Sequence, residues 1–159
     1  MTRQGLVHLI ALRLADFFYV GRSPFAPGTM GSLVSLVIWA PALYCGWPLY
    51  IKLVLLVALF FIGVWAAGVG IVHYRQVDPK QVVIDEVVGQ GIPFLLIAPT
   101  IFQMLLAFAL FRLFDIVKPW PIKAIERRYQ DKWGLMLDDV AAGILAAGVI
   151  FVCQSISLF

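Results

Sequence analysis

Three groupings of carboxylates, Asp85-Glu86, Asp115 and Asp138-Asp139, stand at the margins of long apolar segments and hold five of the chain's nine acidic residues. A carboxylate in such a place is costly unless a cation holds it. Three groupings together suit one polyvalent partner, most simply a hard metal ion with oxygen ligands. Cations accompany the acids: Arg112, Asp115 and Lys118 recur at i, i+3 and i+6. Asp115 is therefore a candidate metal ligand. Arg112, with a bidentate fork, and Lys118, as a point charge, are candidates to hold phosphate. A structural ion-pair ladder along one helix face is the plain alternative.

The other motifs carry weaker signals. Asp85 and Glu86 are neighbours on a helix, about 100° apart, and either one suits a helix N-terminus as well as a metal. Asp138-Asp139 opens the last apolar segment, so one of the pair is a candidate N-cap, which leaves the other for a cation. The stretch 21–31, Gly-Arg-Ser-Pro-Phe-Ala-Pro-Gly-Thr-Met-Gly, reads as a turn-rich loop without regular helix. Its amides, with the hydroxyls of Thr29 and Ser32, suit a phosphate at a helix start. A simple turn fits it equally, and no Lys follows the glycines as a Walker loop requires. His8 and His73 stand isolated and are expected to be non-catalytic. Asp16, Asp78, Glu126 and Asp131 read as ordinary surface or interfacial acids, and Cys45 and Cys153 as small core residues.

Elements that could position these residues must be apolar helices. The 159-residue chain is 62% hydrophobic, with a mean hydropathy of +0.95, far above the usual ~45–50% apolar content of soluble domains. Its length suits one domain. Uncharged stretches cover 23–51, 53–74, 87–111 and 140–159, each reaching the ~20 residues of a membrane-crossing helix. Helices are expected over 32–44, with Pro41 as a possible kink, and over 50–72. The stretch 5–20 reads as an amphipathic interfacial helix and not a cleavable leader, because Arg13 and Asp16 interrupt it. Six of the twelve basic residues fall between Arg112 and Lys132. That loop is expected on the cytoplasmic side, beside anionic lipid. Nucleic acid is not an expected partner, since no recognition motif accompanies the short basic patch.

A straight helix over 87–111 would run about 37 Å and set Asp85-Glu86 and Asp115 on opposite faces of a membrane. Pro93, and especially Ala98-Pro99-Thr100, offer another course. Two shorter helices over 83–97 and 101–117 would form a hairpin that returns Asp115 to the level of Asp85. The expected architecture is thus all-α: a compact polytopic membrane bundle containing a proline-broken helical hairpin, with a cytoplasmic mouth that collects the acids. Rival readings are a small transporter or ion channel with the acids along its pathway, and a non-enzymatic scaffold.

Four segments together resemble the phosphatidylglycerophosphatase A family of bacterial membrane enzymes. They are Ser23-Pro24-Phe25-Ala26-Pro27-Gly28-Thr29-Met30-Gly31-Ser32, Ile84-Asp85-Glu86-Val87-Val88-Gly89, the run from Phe111 through Arg112, Asp115 and Lys118 to Ile122, and Leu135-Met136-Leu137-Asp138-Asp139-Val140-Ala141-Ala142-Gly143. Lys132-Trp133-Gly134 departs from the family, which is richer in glycine before its paired Asp. The resemblance implies a single integral-membrane phosphatase domain in the bacterial inner membrane, facing the cytoplasm. It implies Mg²⁺-dependent hydrolysis of the anionic lipid phosphatidylglycerol phosphate to phosphatidylglycerol and inorganic phosphate. On that reading Asp85, Glu86, Asp115, Asp138 and Asp139 are the expected metal ligands. Asp85, Glu86, Asp115 and Asp139 are the expected catalytic residues, and Thr29, Ser32, Arg112 and Lys118 bind the substrate. Both direct attack by water and an aspartyl-phosphate route remain open.

Overall fold

The computed structural model describes residues 2–98 and 100–156, and every regular element among them is helical. In chain order these are α1 (Arg3–Ala15), α2 (Pro27–Tyr44), α3 (Leu49–Tyr74), α4 (Ile84–Gly91), α5 (Ile101–Val117), α6 (Ile122–Arg128) and α7 (Lys132–Ser155), with short 3₁₀ turns at Val20–Arg22 and Pro93–Leu95. Of the described helices, α3 and α7 are the two long and apolar enough to cross a membrane. On α3, Val54, Val57 and Phe61 are exposed, as are Ile101, Phe102 and Leu105 on α5. Such an apolar outer surface suits hydrocarbon better than water.

The short α4 is the centre of the fold. Nearly all of it is buried, and it packs against α2, α3 and α7. Trp39 of α2, fully buried, donates its indole N–H to the carbonyl of Val87 at 3.3 Å. On the α7 side the backbones touch: a Cβ on Gly143 would collide with the carbonyl oxygen of Gly89, and one on Gly89 would lie 2.6 Å from the carbonyl oxygen of Asp139. Glycine at both positions lets two acid-bearing helices lie in main-chain contact.

The chain reverses after α4, as the expected hairpin requires, but earlier. The first helix stops at Gly91, not at 97, because Pro93 has no N–H with which to continue the ladder; a 3₁₀ turn follows. Thr100 then caps α5 by accepting from Gln103 N–H at 3.2 Å, and the Ala98 N–H is taken up by Gln103 Oε1 at 2.6 Å. Pro99, the centre of the expected turn, lies outside the described residues.

Other expectations change too, among them Cys45, which is exposed and not a core residue. The stretch 21–31 is not all loop: α2 begins at Pro27, since proline at the first helical position lacks only a donor that would be unpaired anyway. α1 ends at Ala15 instead of running to 20. Asp16 there is buried, not a surface acid; its carboxylate takes Arg13 and Arg22 at 2.8 Å each and the Tyr19 N–H at 3.0 Å. Finally, α7 starts at Lys132, capped by Asp131, which accepts from the N–H groups of Trp133 and Gly134 at 3.0 and 3.1 Å. Neither Asp138 nor Asp139 is a cap; both sit inside the helix, buried. His8 and His73 also meet, ring nitrogen to ring nitrogen at 3.4 Å.

Candidate active site

The first turn of α2, the start of α4, the end of α5 and the middle of α7 enclose a cavity of about 350 Å³. Thr29, Asp85, Glu86, Arg112, Asp115, Lys118, Asp138 and Asp139 line it. Ser32 does not: it is fully buried behind the wall, donating to the Gly28 carbonyl at 3.1 Å and facing Arg112 Nη1 at 3.4 Å.

The five acids divide into two sets. Asp85, Glu86 and Asp139 each present a carboxylate oxygen within 4.8 Å of the others. The remaining two are held by cations. Arg112 Nη1 lies 2.6 Å from Asp115 and 3.9 Å from Glu86, so one helical turn of α5 ties a cation and an acid together. Lys118 is not on that helix face. It is the left-handed residue that ends α5, with φ of 46°, and it swings across to Asp138 at 2.7 Å and Glu126 at 2.8 Å. Burial lowers the affinity of Lys118 for its proton, but the hydrogen bonds to Asp138 and Glu126 outweigh it and raise its pKa above the usual lysine value.

Crowding of acids on the α4 side is electrostatically expensive. Burial first, then the neighbouring charges of Glu86 and Asp139, push Asp85 well above the carboxylate range. Glu86 is pushed up to about 7, mainly by burial, against the lowering influence of its hydrogen bond with Asp85. One buried oxygen of Glu86, Oε2, has no hydrogen-bond partner. An orphaned carboxylate oxygen beside two further carboxylates is a hard, oxygen-only donor set, and it fits a Mg²⁺-type ion.

The α2 N-terminus closes the other side. A Cβ on Gly28 would run into Glu86 Oε1 and lie 3.4 Å from the Arg112 guanidinium. The main chain of this turn therefore rests directly on the acid cluster. The amides of Gly28 and Thr29, in the first turn, have no intrahelical acceptor and suit an anion. Asp78 and Lys80, not among the expected site residues, also line the cavity. Their signal was slight: a charged Asp-Pro-Lys loop just ahead of Asp85.

Carboxylates gathered with cations at one end of an apolar helical frame are the equipment of a phosphoric monoester hydrolase that works on lipid. The phosphatidylglycerophosphatase A family model matches residues 13–154, and the chain belongs to that family. Phosphatidylglycerophosphatase A of Escherichia coli K12 is 34% identical over 142 residues, covering 87% of this chain and 80% of that protein. The Haemophilus influenzae protein of the same name is 34% identical over 149 residues, 93% and 88% of the two chains. A Bacteroides thetaiotaomicron protein, provisionally named a phosphatidylinositol-3-phosphatase, is 40% identical over 144 residues, 86% and 89% of the two. No solved structure matches the chain. With bacterial relatives of this kind and two membrane-length helices, the protein is membrane-associated.

Proposed function

We propose that this chain is a Mg²⁺-dependent phosphatase that converts phosphatidylglycerol phosphate to phosphatidylglycerol and inorganic phosphate at the cytoplasmic face of a bacterial inner membrane, which it crosses more than once. The observation that carries this reading is the convergence of Asp85, Glu86 and Asp139 within 4.8 Å around an unpartnered Glu86 oxygen. The relatives' printed names supply the lipid, and the basic residues between Arg112 and Lys132 support the cytoplasmic side.

Asp85, Glu86 and Asp139 would hold the ion, with Asp115 and Asp138 at its margin. When bound, Mg²⁺ supplies positive charge against the phosphate oxygens and makes a neighbouring water more acidic. The amides of Gly28 and Thr29 and the Thr29 hydroxyl donate to the phosphate. Arg112 and Lys118 balance the charge that grows on its outer oxygens in the transition state. Water attacks phosphorus, and Asp115, held by Arg112 and outside the carboxylate trio, takes one of its protons. The bond from phosphorus to the glycerol oxygen breaks, and the proton passes to that leaving oxygen.

Phosphate release from phosphatidylglycerol phosphate in detergent micelles, with and without EDTA, tests the proposal. Release that stops on chelation and returns with Mg²⁺ is the expected result; release indifferent to EDTA overturns the metal assignment. Phosphatidylinositol 3-phosphate belongs in the same assay, given the Bacteroides relative's name. Labelled phosphate trapped on the protein would replace direct water attack with a covalent route.

A further inference from the structure

A second cavity, of about 620 Å³, adjoins the first, and Arg22, Ser23, His73, Tyr74 and Lys80 are among the residues that line it. Ala26, Pro27 and Lys80 belong to both cavities, so the two share a wall. Their chemistry is opposite. Six acids line the first and none lines the second. Arg22 gives only its Nε–H to Asp16 and stays 41% exposed. Asp16 is also shared with Arg13, so one carboxylate answers two guanidinium groups. Lys80 is exposed and has no ion pair among the described residues, whereas Arg112 and Lys118 are both engaged by carboxylates. The lining of the second cavity thus carries two cations and no carboxylate.

Its position at a helix end also fits a lipid. His73 and Tyr74 are the last residues of α3, a membrane-length helix, so the cavity opens at that helix's end. Phe18, Tyr19 and Phe25 are exposed along the connecting chain, and aromatic side chains of this kind sit at the headgroup level.

We propose that the second cavity is a subsite for the phosphodiester of the lipid, with Lys80 on the shared wall between the diester and the phosphate that is removed. This rests on the lipid-phosphatase reading above and gives a place in the molecule to the phosphate that is not removed. A preferred lipid carries its monoester on a polar headgroup beyond a diester. A monoester attached straight to diacylglycerol would leave the second cavity unused.

The two products of the proposed reaction separate the two phosphates, so they serve as probes. Short-chain phosphatidylglycerol and inorganic phosphate are titrated calorimetrically onto the full chain in detergent with Mg²⁺. Lys80→Gln is expected to weaken phosphatidylglycerol binding about tenfold, the loss of one charge-assisted contact, and to weaken phosphate binding far less. Lys80→Arg restores it. Ser23→Trp, which fills the second cavity alone, gives the same pattern. Equal losses for both probes, or no loss of phosphatidylglycerol binding in either variant, overturn the subsite. Because binding is read without turnover, a wild-type protein that binds phosphatidylglycerol through Lys80 yet releases no phosphate would overturn the phosphatase reading and leave the subsite standing.

Discussion

Asp16 and the trio of Asp85, Glu86 and Asp139 are acids similarly withdrawn from water, yet their surroundings differ in kind. Asp16 has two guanidinium partners at 2.8 Å and a backbone N–H at 3.0 Å. It closes the turn between α1 and α2 and asks for nothing further. Among the described residues the trio's ion-pair partner is Arg112, at 3.9 Å from Glu86, and that guanidinium is committed to Asp115. Burial alone does not mark a functional acid. A buried acid whose counter-charge is missing does, because its desolvation cost has to be offset by a bound cation or a proton.

The contrast is most exposed to refutation at Asp139. Asp139→Asn should reduce phosphate release by about 10³-fold, the scale of losing the electrostatic help that a held cation gives the transition state, with helical circular dichroism and detergent elution unchanged. An active Asp139→Asn protein would remove the trio from the chemistry.

Metal removal sharpens the same point without turnover. The carboxyl of Glu86, at 4.5 when unperturbed, is pushed up to about 7 by burial. A raised acid pKa means that the folded protein binds the proton more tightly than the unfolded chain. The associated stability is complete below about 4.5 and is lost as pH rises through about 7. Chelated protein should therefore melt at progressively lower temperature across that window, and Glu86→Gln should flatten the slope. At pH above 7, Mg²⁺ at a hundredfold excess over its Kd should add about 2.7 kcal/mol, and Asp139→Asn should abolish this gain.

Asp16→Asn should do the reverse, costing about 2 kcal/mol of stability through weakened charge-assisted bonds while each folded molecule turns over normally. A folded but inactive Asp16→Asn protein would break the comparison. The smallest effect is expected at Asp131. Asp131→Ala removes a helix cap, costs about 1 kcal/mol and leaves activity unchanged, whereas a strong loss of activity would tie the cap to the site.

Residue type and spacing made much of this site legible before any coordinates. The acids at 85, 86, 115, 138 and 139 share one cavity with Arg112 and Lys118, and the return of α5 toward α4 followed from prolines and segment length. What escaped depended on partners distant in sequence. Nothing near Asp16 announces that Arg22 folds back onto it, and Asp131 competes with two better-placed aspartates for the start of α7. Ser32 shares a motif with Thr29 and nearly its helix face, but it lies about 4.5 Å further along α2 and is buried behind the cavity wall. Lys80 has no periodic pattern around it; only the shared wall of two cavities shows its position.

The main-chain contact between Gly89 and Gly143 makes the trio a fixed-width caliper. Asp85 and Glu86 stand on one jaw and Asp139 on the other, and at Gly89 and Gly143 main chain meets main chain. An ion of small radius that tolerates little distortion, as Mg²⁺ does, gains from such stiffness, while Ca²⁺ prefers longer, looser coordination. Prising the jaws apart by a single methyl group, with Gly143→Ala, should tilt ion preference toward calcium in a binding competition.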